Sequence, residues 1–261
     1  MKLICLGDSI TEGLGVIRTG KSYPSQLAHR LRSRGEGQVE LYNFGASAKM
    51  LDESIRRHEK EIIRMQPDIV IVAHGVTEAI VRPKPAALRL FPPRWRKPGW
   101  MDPRPYYSKN RYKKTMQRIE SAIRWRCKWA AIRLFGGIAW MSPSEFRNYL
   151  DPFITRLLNE SPSTHLILLT PIAADPVYFP SSGSSLEAFR QQIDAVAWRH
   201  QRSGSVHRCD TSALLRQWED YWEDRFHPNE AGHQTIADEL YAVIEASRIG
   251  LGSAEIKEGV R

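Results

Sequence analysis

Short, uninterrupted apolar runs recur along the chain, and their alternation with amphipathic segments constrains the fold more than any other feature of the sequence. The runs do not switch between apolar and polar residues at every second position, which is typical of strands covered on both faces. We therefore predict five buried strands, at residues 2–6, 38–44, 68–74, 164–170 and, with the weakest pattern, 205–208.

Between these strands the apolar residues recur at helical spacing, at residues 22–33, 51–65, 144–160, 185–202 and 230–247. Ser142, Pro143 and Glu145 give the third of these helices a capping box with proline in the first turn. Alternating strands and helices imply right-handed crossovers and a parallel sheet. The predicted fold class is α/β, a three-layer α/β/α sandwich formed by one domain over residues 1–261, with ligands at the carboxyl ends of the strands.

Residues 82–141 interrupt the alternation after the third strand, and we interpret them as a basic loop-plus-helix insertion. Residues 82–133 contain sixteen Lys or Arg and two acids, a net charge of +14, so the rest of this +9 chain carries −5. A proline- and arginine-rich loop leads into a predicted helix at 110–134. On that helix one apolar stripe has basic flanks, and its residues are Met116, Ile119, Ile123, Cys127, Ala130 and Leu134.

The insertion has several interpretations. It is rich in tryptophan, with Trp95, Trp100, Trp125, Trp129 and Trp140 in or beside it. The plainest interpretation is a partly packed lid over the cleft, and the next is a surface facing an anionic substrate. Peripheral contact with a membrane stays open, whereas no nucleic-acid partner is expected, because no other part of the chain resembles a nucleic-acid module.

Cysteine content and hydropathy exclude other classes of protein. The chain has an odd number of cysteines, Cys5, Cys127 and Cys209, and no C-x-x-C pair. Neither a disulfide framework nor a zinc ribbon fits this pattern. No apolar run approaches the length of a membrane-spanning helix, and no secretory signal precedes the first strand. We expect a cytoplasmic protein, with a frayed tail at 250–261.

The first candidate site follows the first strand, where the sequence is Gly7, Asp8 and Ser9. A serine at the carboxyl end of a strand presents its hydroxyl to the cleft and its backbone N–H to a developing oxyanion. Taken alone, these residues are also typical of an ordinary turn. The motif is not the nucleophile elbow of α/β-hydrolases, because Thr11 stands where the second glycine belongs.

The second candidate site lies near the other end of the chain, at Asp224 and His227. Pro228 holds His227 extended just before the last helix. Asp224, three residues earlier, can fold back to the imidazole, fix its tautomer and stabilise the imidazolium that forms when it takes a proton from a serine. The combination with Ser9 indicates a hydrolase.

The segments around Ser9 and around Asp224 and His227 resemble two of the short sequence motifs, or blocks, of the SGNH or GDSL hydrolases. In that family the first block is G-D-S, the second contributes a glycine, the third is usually G-x-N-D and the last is D-x-x-H. In this chain residues 43–47 correspond to the second block. The resemblance implies a flavodoxin-like sheet, with Ser9 as nucleophile, His227 as general base and Asp224 as its orienting acid. It also implies an oxyanion hole formed by the N–H groups of Ser9 and Gly45.

The third block departs from the family pattern. Thr77 occupies the position of the family's asparagine, whose amide donates to the oxyanion. Losing one such donor typically costs about 100- to 1,000-fold in rate. Thr77 either compensates through its shorter hydroxyl or does not reach the oxyanion. We expect Asp8, Gly75 and Glu78 to line the same oxyanion or substrate-binding region.

His74 and His233 are interpreted as packing or supporting residues, and no metal-binding spacing is present. We predict no metal and no cofactor.

The expected function is a serine esterase that cleaves an O-acyl ester of a small molecule or glycan through an acyl-enzyme. An acyltransferase with the same three residues is the alternative, and a non-catalytic binding protein that uses the basic insertion is the alternative of another class. The sequence does not predict an oligomeric state.

Overall fold

The predicted apolar runs form one five-stranded parallel sheet in the computed structural model of the chain. The structure describes residues 1–16, 20–34, 38–96, 110–201, 204–247 and 249. The described residues form seven strands: β1 Lys2–Gly7, β2 Glu40–Gly45, β3 Ile69–Ala73, β4 Arg82–Pro83, β5 Gly137–Ile138, β6 His165–Leu169 and β7 Val206–Cys209. The predicted frayed tail at 250–261 lies outside the described residues.

The order of the large sheet is β2-β1-β3-β6-β7, with β1 beside the third strand in sequence and the chain reversing direction across the sheet at that point. This order confirms the flavodoxin-like sheet that the family resemblance implied. The register pairs Gly7 at the end of β1 with Gly45 of β2 and Ala73 of β3. The carboxyl ends of three neighbouring strands therefore meet at one edge, where the predicted site residues follow them.

Helices cover both faces of the sheet, which confirms the three-layer prediction. The described helices are α1 Ser9–Glu12, α2 Tyr23–Ser33, α3 Leu51–Met65, α4 Val76–Ala79, α5 Pro85–Leu88, α6 Arg111–Phe135, α7 Pro143–Glu160, α8 Ser182–His200 and α9 Glu230–Ala246. In one layer α2 packs against α9, and in the other α7 packs between α3 and α8. Apart from single residues at their ends, the central strands β1, β3 and β6 are apolar and buried between these layers.

The capping box predicted for α7 is present. The N–H of Ser142 donates to Glu145 Oε2 at 2.9 Å, and the N–H of Glu145 donates to Ser142 Oγ at 3.2 Å. Sequence reasoning missed the one-turn helices α1 and α4, which follow β1 and β3 directly, because four residues are too few for a periodic pattern.

The insertion leaves the sheet after β3 and returns before α7. Its two ends are joined by the antiparallel pair β4 and β5, in which Arg82 is opposite Ile138. Between them lie α5, a 3₁₀ turn at Pro93–Trp95 and α6, which is capped by Asn110 through a 3.1 Å bond from the N–H of Lys113. Part of the predicted basic loop, residues 97–109 with Trp100, lies outside the described residues. None of the described helices is long and apolar enough to cross a membrane.

Candidate active site

Ser9 is held at the start of α1 by the turn that follows β1. Asp8 is the N-cap of this helix, and its Oδ1 accepts the N–H of Ile10 at 2.9 Å. Gly7 is required before it, because a Cβ at that position would collide with the side chain of Thr11. As the first residue of a helix, Ser9 has an N–H without an acceptor inside the helix.

His227 and Asp224 lie in the loop before α9. Arg225 has a φ of 57°, in the left-handed region, and this turn lets Asp224 Oδ1 accept the N–H groups of Phe226 and His227, both at 2.9 Å. Asn229 caps α9 through a 3.1 Å bond from the N–H of Gly232. The imidazole is thus anchored between a tight turn and a capped helix.

The structure brings the three residues together. Ser9 Oγ lies 2.8 Å from His227 Nε2, although the two residues are 218 positions apart in sequence. The other ring nitrogen, Nδ1, lies 2.7 Å from Asp224 Oδ2. All three residues are buried, with at most 5% of their surface exposed. In this geometry the imidazole can accept the serine proton while the carboxylate stabilises the resulting positive charge.

The N–H of Gly45 has an acceptor within the protein, unlike the free oxyanion donor that the family resemblance implied. It donates to Asn43 Oδ1 at 2.9 Å, and the amide of Asn43 donates in turn to the carbonyl of Thr11 at 2.8 Å. A Cβ at Gly45 would collide with the backbone of Glu12. The glycine therefore allows the end of β2 to pack against α1.

The hydroxyl of Thr77, for which the sequence left two alternatives open, forms a hydrogen bond within the protein. Its hydroxyl donates to Asp8 Oδ2 at 2.7 Å, so the single hydroxyl proton is engaged inside the protein. The carboxylate of Asp8 is fully buried, and burial raises its pKa above the ordinary value, although the charge of His74 and the bonds from Ile10 and Thr77 oppose the shift. Thr77 thus stabilises the charged residue beside Ser9.

Gly75 and Glu78 take part in hydrogen bonds that connect two helices next to the site. Glu78 Oε2 accepts the N–H of Gly75 at 2.8 Å, and its Oε1 accepts the N–H of Leu51, the first residue of α3, at 2.7 Å. Burial alone would raise the pKa of Glu78. The close approach and charge of His74, whose Nδ1 lies 3.3 Å away, together with backbone donors hold this pKa below its ordinary value. These contacts tie α3 to α4.

His74 and His233, to which the sequence analysis assigned packing or supporting roles, are both buried. His74 is buried beside Glu78, and His233 accepts the N–H of Tyr23 through Nδ1 at 3.2 Å. Burial and the nearby charge of His227 lower the pKa of His233 to about 3. Among the described residues no cluster of His, Cys, Asp or Glu side chains could hold a metal ion.

The burial of cations near the site was not predicted. The guanidinium of Arg82 stacks over Trp140, 3.6 Å from the ring centre, and donates to the carbonyl of Ile80 at 2.7 Å. Burial lowers the pKa of Arg82 to about 10, against the attraction of Glu78 and Asp8. Burial and then the charges of Arg124 and Arg82 lower the pKa of Lys128, on α6, to about 8.

The insertion borders the Ser–His–Asp site. Arg118 of α6 forms an ion pair with Glu223, the neighbour of Asp224. Further along α6, Trp125 packs on Tyr178 with ring centres 4.7 Å apart. A chain of ring contacts then leads from Phe179 to Phe226 at 5.2 Å and from Phe226 to His227 at 4.9 Å.

A hydrogen-bonded Ser–His–Asp arrangement at the carboxyl edge of a parallel sheet is typical of serine hydrolases. The sequence model of the GDSL-like Lipase/Acylhydrolase family matches residues 5–235. The chain therefore belongs to this family, and membership supports a hydrolytic enzyme with esterase activity. A search of curated proteins gave no significant match.

Solved structures with the same fold are distant in sequence. The lipase/acylhydrolase from Enterococcus faecalis is 15% identical, with a TM-score of 0.60 over 94% of this chain and 95% of that one. An alpha/beta hydrolase from the metagenome of Lake Arreo is 21% identical, with a TM-score of 0.59 over 95% of each chain. A mutant of an acetyl-xylooligosaccharide esterase from Geobacillus is 19% identical, with a TM-score of 0.57 over 93% of each. At these identities the likeness supports the shared fold.

Proposed function

We propose that the protein is a serine esterase that removes a short acyl group from an O-acyl ester through an acyl-enzyme. The observation that carries this proposal is the continuous hydrogen-bonded line from Ser9 Oγ through His227 to Asp224. Family membership supports the ester-cleaving class of reaction.

The reaction proceeds in two halves. Ser9 Oγ attacks the ester carbonyl carbon while its proton passes to His227 Nε2, and Asp224 stabilises the imidazolium. The C–O bond to the alcohol then breaks, and His227 returns the proton to the leaving alkoxide. In the second half His227 takes a proton from water, the hydroxide attacks the acyl carbon, and the carboxylic acid leaves as the proton returns to Ser9.

The oxyanion is held by backbone donors in this proposal. The N–H of Ser9 is one donor, because a residue at the start of a helix has no intrahelical acceptor. Because the hydroxyl of Thr77 is engaged by Asp8, the site works with one side-chain donor fewer than the family pattern.

A sugar ester with an anionic group is the substrate class that we propose. The Geobacillus neighbour is an acetyl-xylooligosaccharide esterase, and the basic insertion lies beside the triad in this chain. A groove of about 540 Å³ between α6 and the loop after β6 is lined by aromatic and cationic side chains, which suit sugar rings and anionic groups. Its lining includes Trp125, Trp129, Arg126, Arg133 and Val177.

Labelling with a fluorophosphonate probe tests the nucleophile. The wild type is expected to react and Ser9→Ala to lose the label, whereas Ser47→Ala, a matched change of an exposed serine in the neighbouring loop, keeps it. Hydrolysis of p-nitrophenyl acetate should fall by at least about 1,000-fold in Ser9→Ala. A folded wild type that takes up no label would refute the enzyme and favour the non-catalytic binding protein.

Product analysis separates hydrolysis from acyl transfer. The esterase releases the free acid in buffer alone, whether or not an alcohol acceptor is added. Release of acyl product only when a sugar alcohol is present would favour the acyltransferase, whose outcome depends on exclusion of water from the acyl-enzyme.

A further inference from the structure

The outward face of α6 is apolar along the whole helix. Side chains on this face recur at steps of three and four residues, so they form one stripe. Met116, Ile119 and Ile123 are each about half exposed, at 49–50%, and the ends of the stripe are more exposed, at 75%. The stripe comprises Tyr112, Met116, Ile119, Ile123, Cys127, Ala130 and Leu134, and we call it the α6 stripe.

The buried face of the same helix carries charge. Arg124 and Lys128 are 8% and 1% exposed and face the body of the protein, next to Ala131 and Ile132. A surface helix ordinarily buries its apolar stripe and exposes its cations. In α6 the continuous apolar stripe faces outward instead, which burial in this chain's own core does not explain.

The positive charge of α6 indicates what kind of partner would cover its apolar face. α6 contains eight Lys or Arg and one acid, Glu120, a net charge of +7. Glu120 is itself paired with Arg94 and bonded by the indole of Trp95 at 2.9 Å. The exposed cations Lys113, Arg126 and Arg133 flank the α6 stripe. Like charges would face each other if two copies paired along it, so an anionic partner is favoured.

We propose that the α6 stripe docks on an anionic lipid surface, with the helix lying in the plane of the interface. A 25-residue helix is about 38 Å long, so its side chains can enter the headgroup region along a continuous line while the flanking cations meet lipid phosphates. The ion pair between Arg118 and Glu223 joins this helix to the loop of Asp224. Docking would hold the triad cleft at the lipid surface.

Vesicle sedimentation with the full chain tests the proposal. We expect the wild type to bind vesicles of phosphatidylcholine and phosphatidylglycerol in equal parts, and to bind pure phosphatidylcholine at least about ten-fold more weakly. The double variant Ile119→Glu with Ile123→Glu should bind the anionic vesicles at least about ten-fold more weakly than the wild type. Raising NaCl from about 0.1 M to about 1 M, which shortens the Debye length from about 10 Å to about 3 Å, should also weaken binding.

Trp198→Glu is the matched control, because Trp198 of α8 is 78% exposed and lies outside the α6 stripe. It should bind vesicles as the wild type does. Circular dichroism and hydrolysis of a soluble ester should be unchanged in all variants, because none of these residues touches the triad. Equal binding by the wild type and the double variant, or no binding by the wild type, would overturn the proposal. A wild-type dimer that becomes monomeric in the double variant would overturn it in favour of a second copy.

Discussion

Replacement of Lys128 by methionine should stabilise the protein. Lys128 is 1% exposed, and burial followed by the charges of Arg124 and Arg82 lowers its pKa from 10.5 to about 8. That difference corresponds to about 3 kcal/mol of free energy that the fold loses by holding the charged form at neutral pH. Methionine is also unbranched and is only one heavy atom shorter, and it carries no charge. Allowing for relaxation of the site, we expect Lys128→Met to raise the free energy of unfolding by about 1–3 kcal/mol at pH 7.

The gain should depend on pH in a defined direction. Below pH 8 Lys128 is protonated in both the folded and the unfolded chain, so the full destabilisation is present. Between about pH 8 and 10.5 only the unfolded chain holds the proton, and the stability of the wild type therefore rises with pH relative to the variant. The advantage of Lys128→Met should vanish above pH 10.5.

Urea denaturation of the wild type and Lys128→Met across this pH range measures the difference. Lys113→Met is the control, because Lys113 is exposed on the same helix, and it should leave the stability difference flat with pH. A less stable Lys128→Met at pH 7, or a stability gain that does not shrink as the pH rises, would refute the reasoning.

Three further substitutions address the site. Asp224→Asn should lower kcat for p-nitrophenyl acetate by about 1,000- to 10,000-fold with the fold intact, because the imidazolium loses its stabilising charge; an unchanged kcat would contradict this role. Gly45→Ala should lower the free energy of unfolding by at least about 2 kcal/mol in thermal denaturation, because its methyl group meets the backbone of Glu12. Thr77→Val should cost about 1.5–3 kcal/mol in urea denaturation at pH 7, because the buried carboxylate of Asp8 loses a hydrogen bond; wild-type stability would show that the bond contributes nothing.

The fold could be predicted from the sequence because its central strands are unusually clear. Predicted strands at 68–74 and 164–170 contain β3 and β6, and each observed strand is one residue shorter at both ends. The strand order came from the family resemblance, since an apolar pattern does not specify neighbours. α1 and α4 were missed because their formation depends on local caps such as Asp8.

The positions of Ser9, Asp224 and His227 could also be predicted, because parallel strands bring their carboxyl ends to one edge and the Asp–His spacing closes within a single turn. The hydrogen-bond partners of Gly45 and Thr77 could not be predicted from the sequence. Residue type shows that a threonine hydroxyl can donate, but its direction depends on the packing of β1 against the loop after β3.

Which face of α6 is buried could not be predicted from the sequence either. Its sequence spacing defined the stripe that contains Ile119 and Ile123, but the period is the same whether that stripe faces inward or outward. The presence of Arg124 and Lys128 on the buried face is a tertiary outcome that hydropathy patterns do not encode.

Because Ser9 and His227 lie far apart along the chain, the proposed triad is complete only after nearly the whole polypeptide has been made. Ser9 leaves the ribosome more than two hundred residues before the imidazole of His227, to which its hydroxyl is hydrogen-bonded in the folded chain. A contact of such high sequence separation has a large loop-closure cost, which slows folding relative to local contacts. Under the proposed mechanism, ester turnover therefore requires both ends of the chain to be folded together, and a chain that lacks residue 227 would have no base to activate Ser9.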